Sequence, residues 1–156
     1  MSNLQENKFC TTKAGLAAGT TTTFTTANAV LYCLDGEALS YAAQTNTATP
    51  TLDANTGVAF VGVPINKGCI FIFGVSGAAI SVVQGALADL DPAGNFILAP
   101  EYPAIPEAFV PFGELIIKVA STGSTWTFGA SNQASVTGVT YTRKDLMVLK
   151  SRLHTS

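Results

Sequence analysis

Gly68-Cys69-Ile70-Phe71-Ile72-Phe73-Gly74-Val75-Ser76-Gly77 opens an uncharged run that continues to Ala88. A run of this length is long enough to cross a bilayer as a helix. Its texture argues otherwise: Ile70 to Phe73 is β-branched and aromatic, four glycines interrupt the run, and Ser76, Ser81 and Gln84 are polar. These features predict two buried strands joined at Ser76-Gly77, because continuous apolar runs of strand length belong to strands covered on both faces.

On either side the same grammar repeats. Val30 to Leu34, the tight turn Asp35-Gly36 and the return Glu37 to Ala43 read as a hairpin. Val58 to Val63, a Pro64-to-Gly68 turn and Cys69 to Phe73 follow, then Ala79 to Leu87. The turn Asp91-Pro92-Ala93-Gly94-Asn95 leads into Phe96 to Ala99. From Glu114 to Val119 residues alternate, with Leu115, Ile117 and Val119 on one face and Glu114, Ile116 and Lys118 on the other. Trp126 and Phe128 alternate with threonines, as do Val139 and Tyr141. Short strands at regular spacing predict a single all-β domain, an antiparallel β-sandwich of jelly-roll type.

The expected boundaries are a polar, Thr-rich arm or edge strand over 1–28, a sandwich over 29–142 and a basic tail over 143–156. Lys144 to Leu153 fits a short helix, a last strand or a partner-bound tail equally, since Leu146, Leu149 and Leu153 recur at spacings of three and four. Residues 100–111 hold Pro100, Pro103, Pro106 and Pro111, so this segment is expected to run extended over a surface.

Charge is scarce, 12% of residues against 47% hydrophobic, which predicts that other protein covers part of the surface. It is also sorted. Between Ala14 and Thr142 only Lys67 and Lys118 oppose eight acidic residues, whereas the last segment carries Arg143, Lys144, Lys150 and Arg152 against Asp145. An acidic body with basic ends disfavours nucleic acid as a partner of the body and points to docking through the ends.

Chemical equipment is thin. The single histidine, His154, lies near the end of the sequence, where a general base is poorly held. Cys10, Cys33 and Cys69 show no metal-ligand spacing and read as free thiols of a reducing cytosol. Asp89, Asp91, Glu101, Glu107 and Glu114 leave paired-carboxylate hydrolysis as the one catalytic route. The Asp89-to-Asn95 stretch fits a calcium loop at its first, third and sixth positions, but Ala93 and Pro100 stand where ligands are needed, so a plain turn is expected. Trp126 suits either a sugar-stacking platform or a core position. No cofactor, metal or membrane is expected.

Three stretches carry a resemblance. They are Leu16-Ala17-Ala18-Gly19-Thr20 through Tyr32-Cys33-Leu34-Asp35-Gly36, Val83-Gln84-Gly85 with Leu90-Asp91-Pro92-Ala93-Gly94-Asn95-Phe96, and Pro103-Ala104-Ile105-Pro106 leading into Pro111-Phe112-Gly113-Glu114-Leu115-Ile116-Ile117-Lys118-Val119. In these the chain resembles small bacteriophage virion proteins of the capsid decoration, or cement, type. The resemblance implies a β-sandwich made in the host cytoplasm, often a homotrimer, that sits on the outside of the capsid over junctions of the major capsid protein. It brings no catalytic residue. Under it, Arg143, Lys144, Lys150 and Arg152 are expected to grip the shell, and the Pro103 and Pro106 segment to wrap a neighbour. The alternative expectation is a glycan-binding module of a head or tail fibre.

Overall fold

The computed structural model describes residues 8–147, and among these there is no helix. In chain order the strands are β1 (Lys8–Cys10), β2 (Leu16–Ala18), β3 (Thr23–Thr26), β4 (Val30–Leu34), β5 (Glu37–Tyr41) and β6 (Gln44–Ala48). They are followed by β7 (Lys67–Ser76), β8 (Ala79–Gln84), β9 (Ala88–Asp89), β10 (Phe109–Val119) and β11 (Val139–Asp145). All pairings are antiparallel. One sheet has the order β11-β10-β7-β8, with β9 also on β7, and two three-stranded sheets have the orders β1-β4-β5 and β2-β3-β6. Packed together on a common core, they form the all-β sandwich-type architecture the sequence predicts.

The uncharged run is the centre of the large sheet. β7 and β8 form the expected hairpin about Ser76-Gly77, with Ser76 opposite Ala79. No helix among the described residues is long and apolar enough to cross a membrane. Alternation divides β7 between two clusters. Cys69, Phe71, Phe73 and Val75 enter the main core with Phe24, Phe60, Phe112, Trp126 and Phe128. Ile70 and Ile72 face the other way, with Val83 and Phe109. Burial on both faces explains why β7 reads as continuous hydrophobe.

β10 achieves the same through a bulge. Its pairing with β7 shifts between Pro111 and Gly113. An extra residue exchanges the two faces of a strand. Val110 before it, Phe112 within it, and Leu115, Ile117 and Val119 after it therefore all reach the main core, while Glu114 and Ile116 face outward.

The β4–β5 hairpin turns at Asp35 (φ 53°) and Gly36 (φ 82°), both left-handed as a two-residue hairpin loop requires. Within residues 8–28, β1, β2 and β3 join the small sheets, β3 as the central strand of its own, and Cys10, Ala14, Leu16 and Phe24 lie in the core. At the other end, β11 runs to Asp145, past the expected boundary after 142 and without a helical turn. Val58 to Val63, Phe96 to Ala99 and Trp126 to Phe128 do not extend into strands. They pair only through isolated bridges outside the sheets: Leu52↔Ala59, Leu90↔Phe96 and Val63↔Trp126. Around Trp126 the chain bends back on itself, because the Trp126 Nε1–H and the Tyr141 hydroxyl both donate to the Asn132 carbonyl, each at 2.9 Å.

Candidate interaction surface

The proline-rich segment does run extended, but the surface it crosses is that of its own sheet. Two aromatic rings pin it to glycines of β7, where a side chain would collide: a Cβ on Gly68 would stand 2.5 Å from the Phe96 ring, and one on Gly74 2.3 Å from the Phe109 ring. Between these anchors the Glu101 carbonyl and Pro103 lie against Gly85, and Asn55 donates an amide N–H to the Ala104 carbonyl at 2.7 Å. Tyr102 donates its hydroxyl to the Glu114 carboxylate at 2.6 Å. Glu114 is 1% exposed on the outer face of β10, so this bond supplies the polar partner a buried carboxylate needs. The bond in turn raises the Tyr102 pKa, because the phenol can donate it only while it keeps its proton.

The strap over residues 96–109 thus closes the outer face, and Pro103 and Pro106, expected to wrap a neighbour, are half-buried within it. Its own outer surface is apolar and open. Ile97 is 61% exposed, Leu98 79%, Tyr102 60% and Ile105 43%. Sequence reading takes Phe96 to Ala99 for a strand and so misses these positions. The available signal is the apolar run set directly between an Asp-Pro turn and a proline segment, neither of which supplies a sheet to bury it.

The expected basic grip divides. Arg143 and Lys144 are neighbours on β11 and point to opposite faces. Arg143 is half-buried, donates to the Gln133 carbonyl at 2.5 Å and lies over the Tyr141 ring, and burial lowers its pKa. It serves the fold. Lys144 is exposed, opposite Glu114 in the β10–β11 register. Lys150, Arg152 and His154 lie outside the described residues.

Several carboxylates are engaged within the fold, whereas Glu101 and Glu107 are exposed. Asp89 pairs with Lys67. Asp91 accepts from the Ala93 and Asn95 amides, each at 2.9 Å, as an ordinary aspartate turn does. Asp145 accepts from the Gly15 and Leu16 amides and ties β11 to β2. Among the described residues no three His, Cys, Asp or Glu side chains are grouped to hold a metal ion. Cys10 and Cys69 are buried and Cys33 is half-buried, all as free thiols. Burial pushes the Cys69 thiol up to about 11. Trp126 is fully buried, with Phe71, Phe128 and Tyr141 set edge-on around it, so it offers no platform to a sugar.

One groove is set into the open surface. Ala86 to Asp89 form one wall and Ile97 to Glu101 the other, enclosing about 280 Å³. The Asp91–Asn95 turn joins the walls, and the Ile97 amide donates to the Asp89 carbonyl across the join at 3.1 Å. Comparison with family models, with curated proteins and with solved structures gives no match.

Proposed function

We propose that this chain is a structural attachment protein of the bacteriophage decoration, or cement, type: it self-associates, as a homotrimer, and binds the major capsid protein on the outside of the head, bracing the shell. The observation that carries the reading is the exposed apolar row Ile97, Leu98, Tyr102 and Ile105 on a strap pinned at both ends. Contiguous exposed hydrophobes on a soluble protein mark contact with other protein, and a rigid backbone lowers the entropic cost of that contact. Scarce charge supports the same view. Carboxylate catalysis draws little support, because Asp89, Asp91 and Glu114 are engaged in an ion pair, a turn and the strap. The glycan-binding alternative loses its platform at Trp126.

The test is co-sedimentation with assembled shells of the major capsid protein from the same phage genome. The chain is expected to pellet with the shells at a fixed ratio and to raise the temperature at which they rupture. A chain that stays in the supernatant at micromolar concentration overturns the proposal.

A further inference from the structure

The groove between Ala86–Asp89 and Ile97–Glu101 is slightly smaller than small-molecule sites, which start near 300 Å³. It suits one or two aliphatic side chains better than a metabolite. Leu87, Ile97 and Leu98 supply apolar walls that are 37%, 61% and 79% exposed. The segments that form it are acidic: from Ala86 to Glu107 the chain carries Asp89, Asp91, Glu101 and Glu107 and no basic residue, while from the sheet Lys118 lies over the Phe96 ring. Lys67 neutralises Asp89, and two amides occupy one oxygen of Asp91. Glu101 makes no ion pair with any described residue. The complementary occupant is an aliphatic segment that carries cations and no acid.

This chain contains such a segment. After Asp145 it reads Leu-Met-Val-Leu-Lys-Ser-Arg-Leu-His-Thr-Ser, with no acidic residue. We infer that residues 148–156 of one copy dock in this groove of a second copy. Leu149 and Leu153 enter among Leu87, Ile97 and Leu98, and Lys150 and Arg152 lie beside Glu101 and Asp91.

Reach argues for two copies rather than one. The Leu146 amide donates to the Phe112 carbonyl near the start of β10. The groove adjoins β9, where Ala88 pairs with Gly68 and Gly68 with Lys118 near the end of β10. Lys118 lies six steps along the strand from Phe112, about 20 Å at the usual rise. Within one chain, crossing that distance consumes most of the segment and leaves Leu149 and Lys150 well short of the groove. A second copy can present both leucines and both cations together.

The inference rests on the self-association in the proposed function and supplies its contact. Light scattering compares the full chain with a chain ending at Met147, with Leu98→Asp, with Glu101→Lys, and with Glu101→Lys combined with Lys150→Glu. The first three variants are expected to weaken association about tenfold or more, and the double change to restore it. Unchanged far-ultraviolet dichroism and Trp126 emission show that each variant is folded. A photo-crosslinking residue at position 98, in a mixture of isotopically labelled and unlabelled chains, is expected to capture residues 148–156 of the other label. Full association by the shortened chain, a monomeric full chain, or cross-links confined to one label overturns the inference. Shell sedimentation of the same variants separates the two readings. A monomeric shortened chain that still binds shells leaves the proposed function standing, and a chain that associates through the groove but ignores shells leaves only the inference.

Discussion

Glu114 shows how one residue can be read correctly in part. Alternation along Glu114 to Val119 places it on the face away from Leu115, and that is where it lies. Its burial is invisible in the same pattern, because the cover arrives from Tyr102, twelve residues earlier. The Tyr102 bond has a pH consequence. A tyrosine whose folded pKa lies above its unfolded value, near 10, contributes stability that is complete below about pH 10. That contribution fades as the pH climbs through the folded value. Tyr102→Phe is therefore expected to lower the urea midpoint modestly at neutral pH and to flatten the decline in stability above about pH 10. A decline as steep as in the parent chain would show that another group is responsible. Tyr102 is 60% exposed, so the effect at neutral pH is small.

Among the elements, the strap departs most from its sequence reading. Four prolines correctly predict an extended path, since they remove amide donors and fix φ. They carry no information about which surface is crossed. That is set by glycines elsewhere in the chain: Gly68 and Gly74 leave room on β7 for the rings of Phe96 and Phe109. Gly74→Val is expected to displace the Phe109 ring and to cost about 1–3 kcal/mol, the usual range for overpacking. Equilibrium unfolding in urea measures it, and an unchanged midpoint would mean the ring is not seated there. Val58 to Val63 and Trp126 to Phe128 make the complementary point. Val63, Trp126 and Phe128 lie in the core, yet one bridge rather than a ladder joins the two segments to each other.

At the scale of the molecule, the first 28 residues separate composition from structure. Their threonines suggest an arm, but Cys10, Ala14, Leu16 and Phe24 share one core with Phe71, Phe73 and Trp126. Phe24 packs 5.5 Å from Phe73, centroid to centroid. Removing residues 1–28 is accordingly expected to abolish cooperative unfolding and to shift Trp126 emission toward that of exposed indole. A shortened chain that keeps the sharp thermal transition of the parent would restore the arm reading. The basic end divides for a related reason: Arg143 belongs to the sheet, and only Lys144 of the described pair is exposed. For the expected surface, then, sequence located the strap and the charge asymmetry but not the open row Ile97, Leu98, Tyr102 and Ile105.

The all-β class, the β4–β5 and β7–β8 hairpins and the faces of β10 from Glu114 onward are legible in the amino-acid sequence. These follow from side-chain period and turn chemistry, which act between residues a few positions apart. Tertiary structure alone decided that residues 8–28 complete the core, that the strap folds onto its own sheet and that an apolar groove is left open beside acidic side chains. Each depends on which distant segment covers a surface, and burial is a property of that pairing rather than of either segment alone.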